Sequence, residues 1–208
     1  MTIPSAINHY RKEQTVAQLK QVFSQFNQAI RLSVPEHGDP RTWDYSLTNY
    51  EFLKKYLKFV KANEMTLDRS EISYKKPNGE NEASLLAMRS GAPIIALNSG
   101  VLVFSRNNSP NEAEQVLKQA CYVIDLNGFK EPNKFGRDVF FLCLDGESGS
   151  ILPHQVNDYE SFSVEKSREV LKNGPSVNNY QCNKSGRGMW CAALIIKDGW
   201  QIKDDYPW

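Results

Sequence analysis

The segment from Ile3 to about Leu32 constrains the chain more than any other. Val16, Leu19, Phe23, Phe26 and Ile30 recur at alternating spacings of three and four, while Arg11, Lys12, Glu13, Gln18, Lys20, Gln21 and Gln25 occupy the other faces. The pattern predicts a helix with one apolar stripe, and such a stripe needs a surface to pack on. Pro4 is tolerated only near a helix start, so it marks the N-terminus of this helix, or a kink if more helix precedes it. The helix is expected to end near Leu32, because "SVPEHGDPRTWDY" (Ser33 to Tyr45) is dense in Pro, Gly and Asp.

The covering surface has to come from the remaining chain. "TNYEFLKKYLKFVKA" predicts a second helix with Phe52, Leu53, Tyr56, Leu57 and Val60 on one side and a solvated face of Lys54, Lys55, Lys58 and Lys61. Residues Asp68 to Gly91 are polar around a "PNGEN" turn. "PIIAL" and "VLVFS" flank "NSG" and predict a hairpin. "SPNEAEQVLKQ" reads either as a short helix capped by Ser109, with Pro110 and Glu112 in its first turn, or as a loop between strands. "CYVIDL" and "DVFFLCL" read as strands on either side of "DLNGFKEPNKFGRD". A hairpin centred near Pro132 sets Asp125 opposite Val139 and Cys121 opposite Cys143. "GSILPHQ" is an edge strand ended by Pro153, a polar, loop-rich region follows to Gln181, and "CAALIIKDGW" is a helix stopped by Gly199. Helices followed by mostly antiparallel strands make an α+β fold, and 208 residues suit one domain.

A net charge of +1 creates no field for nucleic acid or an anionic membrane surface. No run approaches the ~20 apolar residues of a membrane span, and the N-terminus has no signal-peptide core, so the chain is expected to be soluble. Four cysteines permit disulfides. Cys182 and Cys191 are joined by the Gly-rich "QCNKSGRGMWC", and closing that loop would contribute about 2–3 kcal/mol on a chain-entropy argument; the alternative is two unlinked thiols. Cys121 and Cys143 are either a second bridge or two buried thiols. Zinc is not expected, since CxxC spacing is absent and His9, His37 and His154 are scattered.

No GxSxG, HExxH, Walker or dinucleotide-binding motif occurs. Cys191 with His154 is the one conceivable nucleophile–base pair, and a disulfide is the simpler role for that cysteine. The concentrated polar feature is "DLNGFKEPNKFGRD". Asp125 and Asn127, one residue apart, can turn their oxygens toward one ion, Gly128 permits a sharp turn, and Asp138 returns from the far side. The segment is either a Ca²⁺ loop or a turn whose Asp and Asn side chains bond its own amides.

Three segments together resemble one family. "IPSAINHYRKEQTVAQLKQVFSQFNQAI", "DLNGFKEPNKFGRDVFFL" and "CAALIIKDGWQIKDDYPW" are similar to the bacterial type IV pilin-like proteins, the prepilins and type II secretion pseudopilins; they cover roughly half of the chain. The resemblance implies one pilin-like domain over 1–208, with residues 1–32 a helical spine packed on the antiparallel sheet of a head, 33–208. It implies a structural subunit, not an enzyme, of a type IV pilus or secretion pseudopilus, partnered by other subunits through the N-terminal helix and by the assembly machinery. The alternative within the same group is a minor-pilin tip or exported module that engages a surface, DNA or polysaccharide. An apolar helix half that anchors the subunit in the inner membrane is then expected before "MTIPSAINHY", with the head exported to the periplasm or cell surface. Some pseudopilins hold Ca²⁺ in a head loop, which favours Asp125, Asn127 and Asp138 as ligands. Export also favours the Cys182–Cys191 bridge, beside which Trp190, Trp200, Tyr206 and Trp208 are expected to pack on the head.

Overall fold

A computed structural model of the chain describes residues 3–45, 55–57, 65–66, 73–82, 93–105, 119–156 and 164–208. Helix α1 runs Ile3–His37, past its expected end near Leu32. Pro35 lies inside it but only in the last turn, where its missing N–H costs a single helical bond. The stop comes at Gly38, whose φ of 78° is the left-handed conformation that glycine adopts without strain and whose N–H reaches the Val34 carbonyl at 2.8 Å. A 3-10 turn, Pro40–Thr42, follows, with the Asp39 side chain accepting from the Arg41 N–H.

The expected stripe is the buried face of α1. Leu19, Phe26 and Ile30 are buried, joined by Val22 and Ala29, with Val16 and Phe23 packed at the margin. Residues 4–11 are exposed, so the first turns of α1 cover little of the head.

The described strands form a six-stranded antiparallel sheet in chain order: β1 Met65–Thr66, β2 Pro93–Ala96, β3 Leu102–Ser105, β4 Gln119–Asp125, β5 Val139–Asp145 and β6 Ser150–Pro153. The β2–β3 hairpin turns through Asn98, Ser99 and Gly100, with Leu97 N–H bonded to the Val101 carbonyl at 2.8 Å. In β4–β5, Asp125 pairs with Val139 and Cys121 with Cys143, the register expected from the hairpin. All of β5 is buried, which requires a cover on both faces of the sheet.

Tyr122 meets Phe26 with ring centroids 5.4 Å apart, and Asn27 Oδ1 accepts the Ile151 N–H at 3.0 Å, so α1 covers one face. Phe141 projects from the other face into a chain of edge-on rings, Phe141–His154 at 4.8 Å, His154–Tyr180 at 5.2 Å and Tyr180–Trp190 at 6.3 Å. That face belongs to the C-terminal segment, with helices α2, Arg168–Asn173, and α3, Cys191–Lys197. The α3 stop at Gly199 is as expected, with its N–H on the Ile196 carbonyl at 3.0 Å. Helix α2 is a correction to the expected loop: its six residues are too few for a periodic signal, and only Ser167, accepting from the Val170 N–H, marks its start.

The helix expected over 48–62 lies outside the described residues except at Lys55–Leu57, which form a turn. The 109–118 segment lies outside them too, and Gln119 already belongs to β4. In the polar stretch, the "PNGEN" turn closes through Lys76 N–H to the Glu80 carbonyl at 2.8 Å.

Charged side chains tie α2 to the chain end. The Arg168 guanidinium bonds Asp198 at 2.6 and 3.0 Å and Asp205 at 2.7 and 2.9 Å, while Lys203 reaches Asp198 and Lys172 reaches Asp205. Burial alone would raise the Asp198 carboxyl, but its bonds to Arg168 and Lys203 hold it below the usual range. Hydrogen bonds from Arg168 and Lys172 hold Asp205 well below it too. Carboxyls depressed on folding stabilise the native state above their unfolded pKa and lose that contribution as pH falls through the folded one. Arg168→Met should therefore lower stability at neutral pH, and in urea titrations its deficit against wild type should shrink as pH falls from about 5 to about 2. Phe26→Ala, which empties the α1 seam opposite Tyr122, should cost about 3–5 kcal/mol in the same assay at pH 7.

Candidate functional site

The loop between β4 and β5 is where α1, the sheet and the C-terminal segment meet. Thr15 Oγ1 donates to the Arg137 carbonyl at 3.2 Å from α1, and the Tyr206 hydroxyl donates to the Gly136 carbonyl at 2.6 Å from the chain end. Gly136 admits no side chain: its φ is 80°, and a Cβ would stand 2.7 Å from Cys191 Sγ and 3.0 Å from Tyr206 Oη. The 73–82 segment adds a third tether, with Lys75 N–H to the Asn133 carbonyl at 2.8 Å and Phe135 N–H to the Lys75 carbonyl at 2.9 Å.

Within this frame the structure brings Asp125, Asn127 and Asp138 together. Asp125, 0% exposed, accepts from the Tyr74 hydroxyl at 3.2 Å and the Asn127 N–H at 3.3 Å. Asp138 Oδ2 accepts from Asn127 Nδ2 at 3.1 Å and from the Asn133 N–H at 2.9 Å, and Oδ1 from the Lys134 N–H at 2.6 Å. The carboxylates thus bond the loop's own amides, as an Asx-type turn does. Both are nonetheless uncomfortable as anions. Burial, with the Asp138 charge beside it, pushes Asp125 up to about 8, and burial raises Asp138 despite its three N–H donors.

Sequence reasoning missed two members of this cluster. Tyr74 comes from a distant polar stretch, and no local pattern links it to Asp125. Asn133 follows the cis Glu131–Pro132 bond with a φ of 48°, a backbone state asparagine tolerates better than most residues. The "PN" dipeptide was the available signal.

Among the described residues no three His, Cys, Asp or Glu side chains converge as a metal cluster. Of the loop's three carboxylates, Glu131 is turned to Lys75 at 2.8 Å, and the two buried ones, Asp125 and Asp138, have the neutral side-chain oxygens of Asn127 and Asn133 in the same loop and of Tyr74 from the 73–82 segment. Donors of this kind suit a hard cation such as Ca²⁺ and do not suit zinc. A cavity of about 350 Å³ opens beside them, lined by Arg11 and Thr15 of α1, Asn127, Arg137 and Asp138 of the loop, and Trp208.

Both cysteine pairs are bridged, Cys121–Cys143 across β4–β5 and Cys182–Cys191 across the Gly-rich loop. Cys191 therefore carries no free thiol, and His154 lies in the aromatic stack. The C-terminal aromatics reach farther than a local cluster. Trp190 is buried with Nε1 donating to the Val156 carbonyl at 3.2 Å, whereas Trp200 meets Phe23 of α1 at 5.5 Å. Trp208 donates to Asn8 Oδ1 at 2.9 Å, and its ring lies under Arg137 at 5.3 Å. Iodoacetamide under denaturing, non-reducing conditions should label none of the four cysteines and all four after reduction, read as intact mass; any labelling before reduction identifies a pair that is not bridged.

The chain matches a family of unknown function, DUF6613, over residues 5–208, and it belongs to that family. No curated protein and no solved structure matches it.

Proposed function

We propose that this chain is the head, with the adjoining half of the spine, of a prepilin-type filament subunit of a type IV pilus or type II secretion pseudopilus. The observation that carries the reading is the division of α1 into two parts. From Leu19 onward Leu19, Val22, Phe26, Ala29 and Ile30 are buried, whereas residues 4–11 are exposed and include Ile7 at 47% and Tyr10 at 64%. A helix whose first turns leave apolar side chains bare fits a spine that packs against neighbouring spines.

Two disulfides support a head that works in an oxidising compartment. None of the described helices is long and apolar enough to cross a membrane. The subunit's work is assembly: hydrophobic burial drives packing of the apolar helix half that the resemblance implies, and charge and shape complementarity set the register of the half seen here.

The test is incorporation into filaments. In bacteria producing the protein with its native N-terminal region, filaments sheared from the surface, or the pseudopili of cells overproducing the system, should contain it by immunoblot. Ile7→Asp with Tyr10→Asp should reduce its recovery by about tenfold, the effect of ~1.4 kcal/mol lost over the two contacts together, while the melting temperature of the purified 1–208 segment stays unchanged. Equal recovery of the variant, or absence of the wild-type chain from every sheared fraction, rejects the proposal.

A further inference from the structure

The cavity beside the β4–β5 loop is unevenly charged. Two guanidiniums line it, Arg11 of α1 and Arg137 of the loop, together with the carboxylates of Asp138 and Glu131. Both carboxylates are engaged. Asp138 Oδ2 accepts from Asn127 Nδ2 at 3.1 Å and the Asn133 N–H at 2.9 Å, its Oδ1 accepts from the Lys134 N–H at 2.6 Å, and Glu131 is paired with Lys75 at 2.8 Å. The guanidiniums are not. Among the described residues the arginines in ion pairs are Arg41, Arg168 and Arg187, so Arg11 and Arg137 have no carboxylate partner. Arg137 is nevertheless held in place. Its guanidinium lies 5.3 Å from the Trp208 ring, Trp208 Nε1 donates to Asn8 Oδ1 at 2.9 Å, and the Arg137 carbonyl accepts from Thr15 Oγ1 at 3.2 Å. Stacking on a ring fixes the plane of a guanidinium and leaves the N–H groups at its edge able to donate. Further positive charge stands close by: burial, with Lys184 and Arg137 beside it, holds the Lys134 ammonium below its ordinary range.

We infer that this cavity binds a small organic anion whose carboxylate or phosphate head accepts hydrogen bonds from Arg11 and Arg137. Either head presents a pair of oxygens that one planar guanidinium fork can grip, and the second arginine supplies further donors and charge. The volume of about 350 Å³ lies at the lower end of the roughly 300–1,000 Å³ of small-molecule sites, which leaves room for a compact body behind the head. Gln14 and Gln18 offer that body neutral amides, and Leu126 and Pro132 offer it apolar contact. The chain's net charge of +1 builds no extended field, so the positive charge here is local and fits a single head rather than a polyanion. The walls come from α1, the β4–β5 loop and the chain end, so the site exists only in the folded chain. It does not depend on the filament reading, since it rests on this cavity alone.

Benzoate, phenyl phosphate and neutral benzamide keep one body and change the head, and they test the site on the 1–208 chain. The readout is the proton–nitrogen correlation spectrum of the arginine Nε–H groups. Benzoate or phenyl phosphate should shift the Arg11 and Arg137 signals saturably, with half-saturation below about 1 mM. A response to one anion alone identifies the head, and a response to both shows that the site reads the oxyanion itself. Arg11→Gln and Arg137→Gln should each raise the half-saturation concentration about tenfold or more, and so should Arg137→Lys, which keeps the charge and loses the fork. Arg31→Gln, about 30 Å from Arg11 along the same helix, should leave it unchanged. Arg11 is exposed, so its substitution spares the core should an Arg137 variant fail to fold. The inference is overturned by the absence of a saturable shift with either anion up to about 10 mM, by an equal shift with benzamide, by unchanged half-saturation in Arg11→Gln, or by equal weakening in Arg31→Gln.

Discussion

A sheet strand buried along its entire length on both faces is the constraint from which the rest of this structure follows. Strand β5, Val139–Asp145, has no exposed residue, and an antiparallel sheet with such a centre is stable only between two layers. One layer is α1, joined through Phe26 and Tyr122. The other is the C-terminal segment, joined through the rings of Phe141, His154, Tyr180 and Trp190. The layers are also tied to each other, since Trp200 packs on Phe23 and Trp208 bonds Asn8. The chain end thus returns to the helix that began the chain, and the two covers enclose the sheet as one unit.

The β4–β5 loop owes its position to that closure. It leaves the two central strands where both covers converge, and it is held from each side by Thr15, Lys75 and Tyr206. Its glycine at 136 is demanded by the close approach of Cys191 and Tyr206 rather than by the turn alone. A loop tethered so densely buries its carboxylates as a consequence, and burial is what makes Asp125 and Asp138 costly as bare anions.

Much of the sheet was legible because hairpin register is a local property. With turn residues between two apolar runs, the pleat leaves few alignments, so Asp125 opposite Val139 and Cys121 opposite Cys143 could be read directly, while the bridge between those cysteines was one of two readings until the structure showed it. The α1 stripe was legible for the same kind of reason, a period sustained over many turns. Its end was not: proline composition suggested a break near Leu32, yet a proline in the last turn removes little, and the helix runs on to Gly38. Helix α2 escaped notice because six residues carry no period. At the loop, Asp125, Asn127 and Asp138 were legible as a polar cluster of alternating and returning spacing. Asn133 and Tyr74 were not, because one depends on the loop's backbone path and the other arrives from a separate segment.

By itself the sequence determined the α+β class, the helix stripe and the central hairpin with its register, which sets Cys121 opposite Cys143, all of which rest on short-range periodicity and spacing. Only the tertiary structure decided that the sheet is covered twice, that the chain end clamps α1, and that Asp125 and Asp138 are buried beside two unpartnered amide oxygens. Burial is the physical reason for the difference. Which side chains a residue faces along the chain is set by local geometry, but how much water it loses depends on segments far away in sequence, and the chemistry of an acidic loop is set by that loss.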